Sequence, residues 1–534
     1  MSQNPTTTVN PPARPASNGN GLGIPRTILA YVDDRVNPVV VKELRQAVRS
    51  KFILALINLL LVFQLIVVTM VLLIDNTLSD YSFRLGRNMF WSLHTLLLIG
   101  CIYLVPIYVG VRFAAERSAQ NVDLLYTTTI RPVSIIWGKF LSGAVLTFIL
   151  FSTMAPFMVL TYMLRGIDVP TILLVMIIDY MTVLIAIATV IFMMTLGESL
   201  LSRLGLAIGC LVIFTTLLVN SLSWSGRYIE GWASFYESMW LLVLLGVTYT
   251  VMGQGLMILA ATSMISPPSS NRALLPRIYM SACWVISGLL ALGVSLITGD
   301  LDILLGWSVM ASCMLACTVM VGACERDEPG LRVQAAIPEN RLKRMVAFFF
   351  YSGSAGGILW SLVMTLLSLG VSVGIGAIAY YSPSFLGGVS GNDSITTAVG
   401  FMGYMFTYAL LGGLIVRWVG RGKLRTETTL AMVLALMAVG SMGPPMLRVL
   451  VNPNSYGGSE LWWYLTNPMA PFIAGGERDD VMLFGLVGMG LMLMLSVPWL
   501  MKQVRAFKPL PKPVVHATPA VEMATSEPQP EVRP

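Results

Sequence analysis

RFAAERSAQNVDLLYTTTIRPVSIIWGK, Arg112 to Lys139, is a polar interruption between two long apolar runs. Val122, Leu124, Leu125, Ile130, Val133, Ile135, Ile136 and Trp137 bring apolar surface back into it, and Glu116, Arg117, Asp123 and Arg131 give it a charged face. Pro132 suits the first turn of a helix, where its missing N–H costs nothing. The pattern predicts helix, turn, helix at a membrane–water boundary. The runs on either side decide the fold, because each is long and apolar enough to cross a bilayer.

The whole chain repeats that alternation. Its 534 residues are 56% hydrophobic and only 11% charged, with a mean hydropathy of +0.76, whereas soluble domains carry about 25% charged residues. The fold class expected is an all-α polytopic membrane protein. On a template of about 20 apolar residues per span, twelve transmembrane helices are expected near 53–74, 89–111, 140–164, 171–195, 205–222, 239–263, 279–298, 304–324, 354–380, 398–416, 428–447 and 480–501. The fifth is short enough to read as re-entrant, and the eleventh is broken by Gly443, Pro444 and Pro445.

Charge orients this bundle. With the N-terminus in the cytoplasm, only Arg84, Arg87, Arg165, Arg227, Arg448 and Arg478 of the 34 Lys and Arg fall outside. That asymmetry follows the positive-inside rule and places both termini in the cytoplasm. The formal charge of +7 is thereby read as topology, and no nucleic-acid partner is expected. Trp224, Tyr228, Trp232, Phe235, Tyr236 and Trp240, then Trp462, Trp463 and Tyr464, read as anchors at the outer interface.

Residues 1–36 form a polar N-terminus expected to be disordered. Asn37 to Lys51, NPVVVKELRQAVRSK, is a basic amphipathic helix lying in the interface. Val40, Val41, Leu44, Ala47 and Val48 fall on one side of it, and Lys42, Arg45, Gln46 and Arg49 on the other. A six-span domain, 37–265, is followed by a linker, 266–278, a second six-span domain, 279–501, and a tail, 502–534, also expected to be disordered. The loop after the second span of each half begins Glu-Arg, at Glu116 and at Glu325. Gly353 to Gly357 reads either as helix packing or as a joint.

No catalytic constellation stands out. The sequence lacks H-E-x-x-H and C-x-x-C, and neither Gly138-Lys139 nor Gly422-Lys423 completes a phosphate loop. The chain is therefore read as no enzyme, and any ATP must be hydrolysed by another subunit. The six cysteines lie in or at the end of apolar runs and read as packing residues, with no metal. Asp179 lies in the fourth span, where a charge costs about 2.5–3.5 kcal/mol on insertion scales. It is expected to be protonated, paired or facing a wet cavity, and His94 in the second span is the partner available. Asn58 and Gln64 in the first span read as interhelical glue.

Over residues 35–265 the chain resembles the membrane subunit, or permease, of ABC-2-type ABC transporters. The likeness rests on the basic helix leading into the first span, and on Glu116-Arg117, Asp123-Leu124-Leu125, Arg131-Pro132-Val133 and Gly138-Lys139. Two features depart from the family pattern: Asn121-Val122 stand where Gly-Thr is common, and six further spans follow. The resemblance implies that Glu116, Arg117, Asp123, Leu124, Leu125 and Arg131 form or brace a coupling helix that docks on an ATPase subunit. It implies that Pro132, Gly138 and Lys139 start the third span, and that Lys42, Leu44, Arg45, Val48 and Arg49 belong to the interfacial helix. It further implies ATP on a cytoplasmic ABC ATPase partner, contact with membrane lipid, a homodimer as one arrangement, and an inner (plasma) membrane location. Two other classes stay open: an ion-coupled secondary transporter using Asp179 and His94, and a non-transporting membrane scaffold.

Overall fold

Apolar length dictates the architecture, because inside a bilayer every backbone N–H and C=O must be paired within the protein. The computed structural model describes residues 38–74, 82–116, 132–164, 167–196, 200–231, 239–267, 269–327, 330–381, 391–420, 426–451, 465–473 and 477–509, and these contain helices and no strand. Twelve of the helices are long and apolar enough to cross a membrane. The chain is an all-α polytopic membrane protein.

Helix α1 (Pro38–Val48) begins with proline at its first position, as its fixed φ favours. The first half continues with α2 (Lys51–Ile74) and with α3 (Ser82–Ile99), which passes through a π-helical turn (Gly100–Leu104) into α4 (Val105–Glu116). Then come α5 (Pro132–Met163), α6 (Val169–Leu196), α7 (Leu200–Gly231) and α8 (Met239–Ile265). The π turn has a local cause. Pro106 offers no N–H to the carbonyl four residues back, which lies inside the widened turn.

The second half comprises α9 (Leu274–Thr298), α10 (Asp302–Ala323), the short α11 (Leu331–Ala335), α12 (Arg341–Phe350), α13 (Ser354–Tyr381), α14 (Gly391–Gly420), α15 (Thr426–Val451), α16 (Ala470–Ile473) and α17 (Arg478–Ala506). Asn340 caps α12, its side chain accepting from the Leu342 N–H at 3.0 Å.

Three expectations are corrected. The fifth span is one continuous helix, α7, whose 32 residues leave no re-entrant turn. The eleventh, α15, runs unbroken through Gly443, Pro444 and Pro445. Prolines persist in membrane helices because the freed carbonyls find other partners, and the alternative of exposing a broken backbone to lipid is worse. The linker is also shorter than the sequence suggests, because α9 already starts at Leu274.

Each half is organised around its fourth span. Helix α6 packs against α4, α5, α7 and α8, and α14 packs against α10, α13, α15 and α17. The extensive contact between the halves runs along α8 and α9. The first half has its own large core, in which Phe90, Leu97, Ile102, Leu150, Met154 and Ile187 are buried. The second is centred on Ile358, Met405, Phe406 and Leu410.

Candidate functional site

Alternate crossings bring α1, the end of α4 and the start of α5 to one membrane face, where a buried cation joins them. Lys139 sits two turns into α5 and is 4% exposed. Its Nζ donates to Glu43 Oε1 of α1 at 3.1 Å and to Glu116 Oε2 at the end of α4 at 2.5 Å. It also lies 5.5 Å from the ring centre of Phe113. An ammonium withdrawn from water needs such partners, and two carboxylates supply more than one countercharge. Beside this knot, Arg112 donates to Gln46 Oε1 of α1 at 2.5 Å and to the Tyr108 hydroxyl at 2.7 Å. A small cavity opens between Glu43, Tyr108, Arg112 and Lys139.

Of the residues expected at this face, Glu116 ends α4, Pro132 opens α5, and Gly138 and Lys139 are buried in α5. Lys42, Arg45 and Arg49 are exposed and Leu44 is half-buried. Arg117, Asp123, Leu124, Leu125 and Arg131 lie outside the described residues, as does the side chain of Val48. The structure therefore brings Glu116 and Lys139 together. It adds Glu43, the one acid of α1, which sequence reasoning passed over. The available signal was that acid's place on the helical wheel, one turn from Val40 and Ala47 on the side that α5 buries.

The second half closes the same face with a different set. Arg277, one turn into α9 and 5% exposed, donates to the carbonyl oxygens of Phe349 and Tyr351, both at 2.8 Å, and pairs with Glu325. Glu325 Oε2 accepts the Gly353 N–H at 2.8 Å. Burial pushes the Glu325 carboxyl above its usual range, and Arg277 and the Gly353 N–H draw it back. Asp327 accepts from the Ser354 hydroxyl and, at 3.2 Å, from the Trp499 indole N–H. The Arg417 guanidinium stacks 3.7 Å from the centre of that indole.

Deep in the first half, α6 and α3 bring Asp179 and His94 together. His94 Nε2 stands 2.6 Å from Asp179 Oδ2, an ion-pair contact that lacks hydrogen-bond geometry. Ser221 of α7 donates to Asp179 Oδ1 at 2.7 Å, and the Ser225 hydroxyl lies 3.4 Å from His94 Nε2. Both charged residues are essentially inaccessible, at 0% and 1% exposure. Among the described residues no group of three His, Cys, Asp or Glu is placed to hold a metal.

Compared with family models, with curated proteins and with solved structures, the chain matches none.

Proposed function

We propose that the chain is the membrane permease subunit of an ABC-type exporter, driven by a separate ATPase that docks on the face carrying α1. One observation supports the reading most. Lys139 ties the interfacial helix, the end of the second span and the start of the third into one buried ionic knot. A push on residues 112–139 would then reach α1 and α5 as a unit. Coupling requires only that the two states of the ATPase contact that segment differently. In this reading Arg117, Asp123, Leu124, Leu125 and Arg131 form the docking surface with Glu116, and that face is cytoplasmic. ATP is held by the partner, and this chain catalyses nothing itself. Membrane lipid is a second partner, met by α12, where Leu342, Met345 and Val346 are exposed beside Arg341, Lys343 and Arg344.

The test is purification in mild detergent followed by mass spectrometry of what accompanies the chain. A soluble ATPase with a phosphate-loop motif should co-purify with the native protein. It should be lost from an Arg117→Glu/Asp123→Lys variant, which leaves the Lys139 knot intact. No such ATPase with either protein would remove the proposal.

A further inference from the structure

The His94–Asp179 pair takes no part in ATPase docking, and its chemistry is independent of whether an ATPase docks at all. Between them the two side chains carry no net charge whether the shared proton sits on Nε2 or on the carboxyl. Adding or removing a proton would leave a net charge buried among apolar helices, which is costly without water. In this closed arrangement both side chains are sealed from water, and water must arrive before any exchange.

No nearby charge takes over that role. Asp179 is the sole charged residue of α6, α8 has none, and α2 and α5 carry only Lys51 and Lys139, both towards the α1 face. Arg112 and Glu116 of α4 also lie at that face. Arg84 and Arg87 of α3 lie towards the other face, and α7 carries Arg203, Arg227 and Glu230 towards its ends. Further titratable groups are Cys101, buried in the π turn and close enough to feel the charge of Asp179, and Tyr180, next to Asp179 in α6.

Two features supply a way to open. The π turn, held by Pro106, is a ready point of bending less than two turns from His94 along the same helix. Ser221 and Ser225, which complete the polar cluster, come from α7, and the Tyr103 hydroxyl meets Thr215 of α7 at 2.8 Å. His94 lies about three turns from the start of α3, and Asp179 about three turns from the start of α6. Both starts are at the face opposite α1.

We propose that His94 and Asp179 form a proton-binding site that exchanges its proton with the face opposite α1 when α3 bends at the π turn and parts from α7. The exchange breaks one N–H or O–H bond and passes the proton to water, leaving the pair with one negative charge. Rebinding reverses it. The site adds a pH dependence from that compartment to whatever the bundle transports.

Trp91 reports on the pair, because its ring centre lies 5.8 Å from that of His94 and a protonated imidazole quenches indole fluorescence. The experiment is a pH titration of the full-length protein in detergent, with the Trp91 signal taken as native minus Trp91→Phe. A pH-dependent Trp91 signal is expected in the native chain. It should be lost in His94→Leu/Asp179→Leu, which replaces both charges at once and so avoids the orphaned charge of a single substitution. A folded native chain in which neither the Trp91 signal nor an infrared carboxyl or imidazole band responds to pH, or a response that persists in the double variant, would overturn the proposal. If the double variant does not fold, infrared spectra of the native chain decide: a carboxyl or imidazole band that titrates upholds the site, and silence of both refutes it. In sealed vesicles a pH step on the face opposite α1 should suffice, and a response only to steps on the α1 face would refute the route.

Discussion

Gly322 of α10 and Gly357 of α13 meet backbone to backbone. A Cβ built on Gly357 would lie 2.7 Å from Gly322 Cα, and one built on Gly322 would lie 2.8 Å from the Gly357 carbonyl carbon. Without a hydrophobic force between helices in lipid, close approach of small residues is what drives them together. The contact sets Gly353, Glu325 and Arg277 within reach of each other, so the packing of two spans builds the polar closure of one face.

Gly322→Ala and Gly357→Ala should each force the two helices apart. Overpacking of this kind costs about 1–3 kcal/mol. Gly370→Ala, on the same helix but with open space at its Cβ, should be neutral or gain up to about 1 kcal/mol from helix propensity. Thermal unfolding of the three variants in one detergent checks this, and equal melting temperatures would show that the close approach carries no energy.

Lys139 and Glu43 make a sharper test, because both side chains are almost fully buried and Glu116 is not. Lys139→Met strands the Glu43 carboxylate and should cost about 3–5 kcal/mol, while Lys139→Met/Glu43→Gln should recover most of it. Glu116→Gln should cost under about 1 kcal/mol, since solvent screens that half of the knot. A double-mutant cycle on unfolding free energies measures the coupling. Additive losses would mean that the two residues do not act as a pair.

These contacts separate the features legible in the sequence from those that were not. Twelve spans could be read because apolar length is a property of each segment alone, and Asp179 and His94 stood out as isolated polar residues in apolar runs. Glu43 did not, because in an amphipathic helix full of cations an acid looks like part of the solvated face. Only the neighbouring α5 shows that it is buried. Arg277 fell in an expected linker for a similar reason: its partners, the carbonyls of Phe349 and Tyr351, are 72 and 74 residues away in the chain. Pro444 and Pro445 signalled a break because propensity is calibrated in water, and a helix in lipid has fewer alternatives.

Arg277→Lys should separate charge from geometry. Lysine keeps the charge that faces Glu325 but cannot present the planar fork that reaches both carbonyls and the carboxylate. We expect a loss of about 2 kcal/mol and faster cleavage by protease between residues 325 and 353. Unchanged cleavage would mean that the charge alone holds the segment.

Trp499 couples α17 to both Asp327 and Arg417, and its two contacts can be removed in sequence. Among the described residues, Arg417 Nε and Nη2 have no hydrogen-bond partner, so the indole face, with the charge of Asp327, replaces water for that guanidinium. Trp499→Phe keeps an aromatic face under Arg417 but removes the N–H donated to Asp327, and should cost about 1 kcal/mol. Trp499→Leu removes the face as well, and should cost about 2 kcal/mol more, the value of a desolvated cation–π contact. The order native, Phe, Leu in melting temperature is the prediction. Phe and Leu variants of equal stability would show that the stacking of Arg417 on Trp499 contributes nothing, and that Asp327 alone anchors α17 at this face.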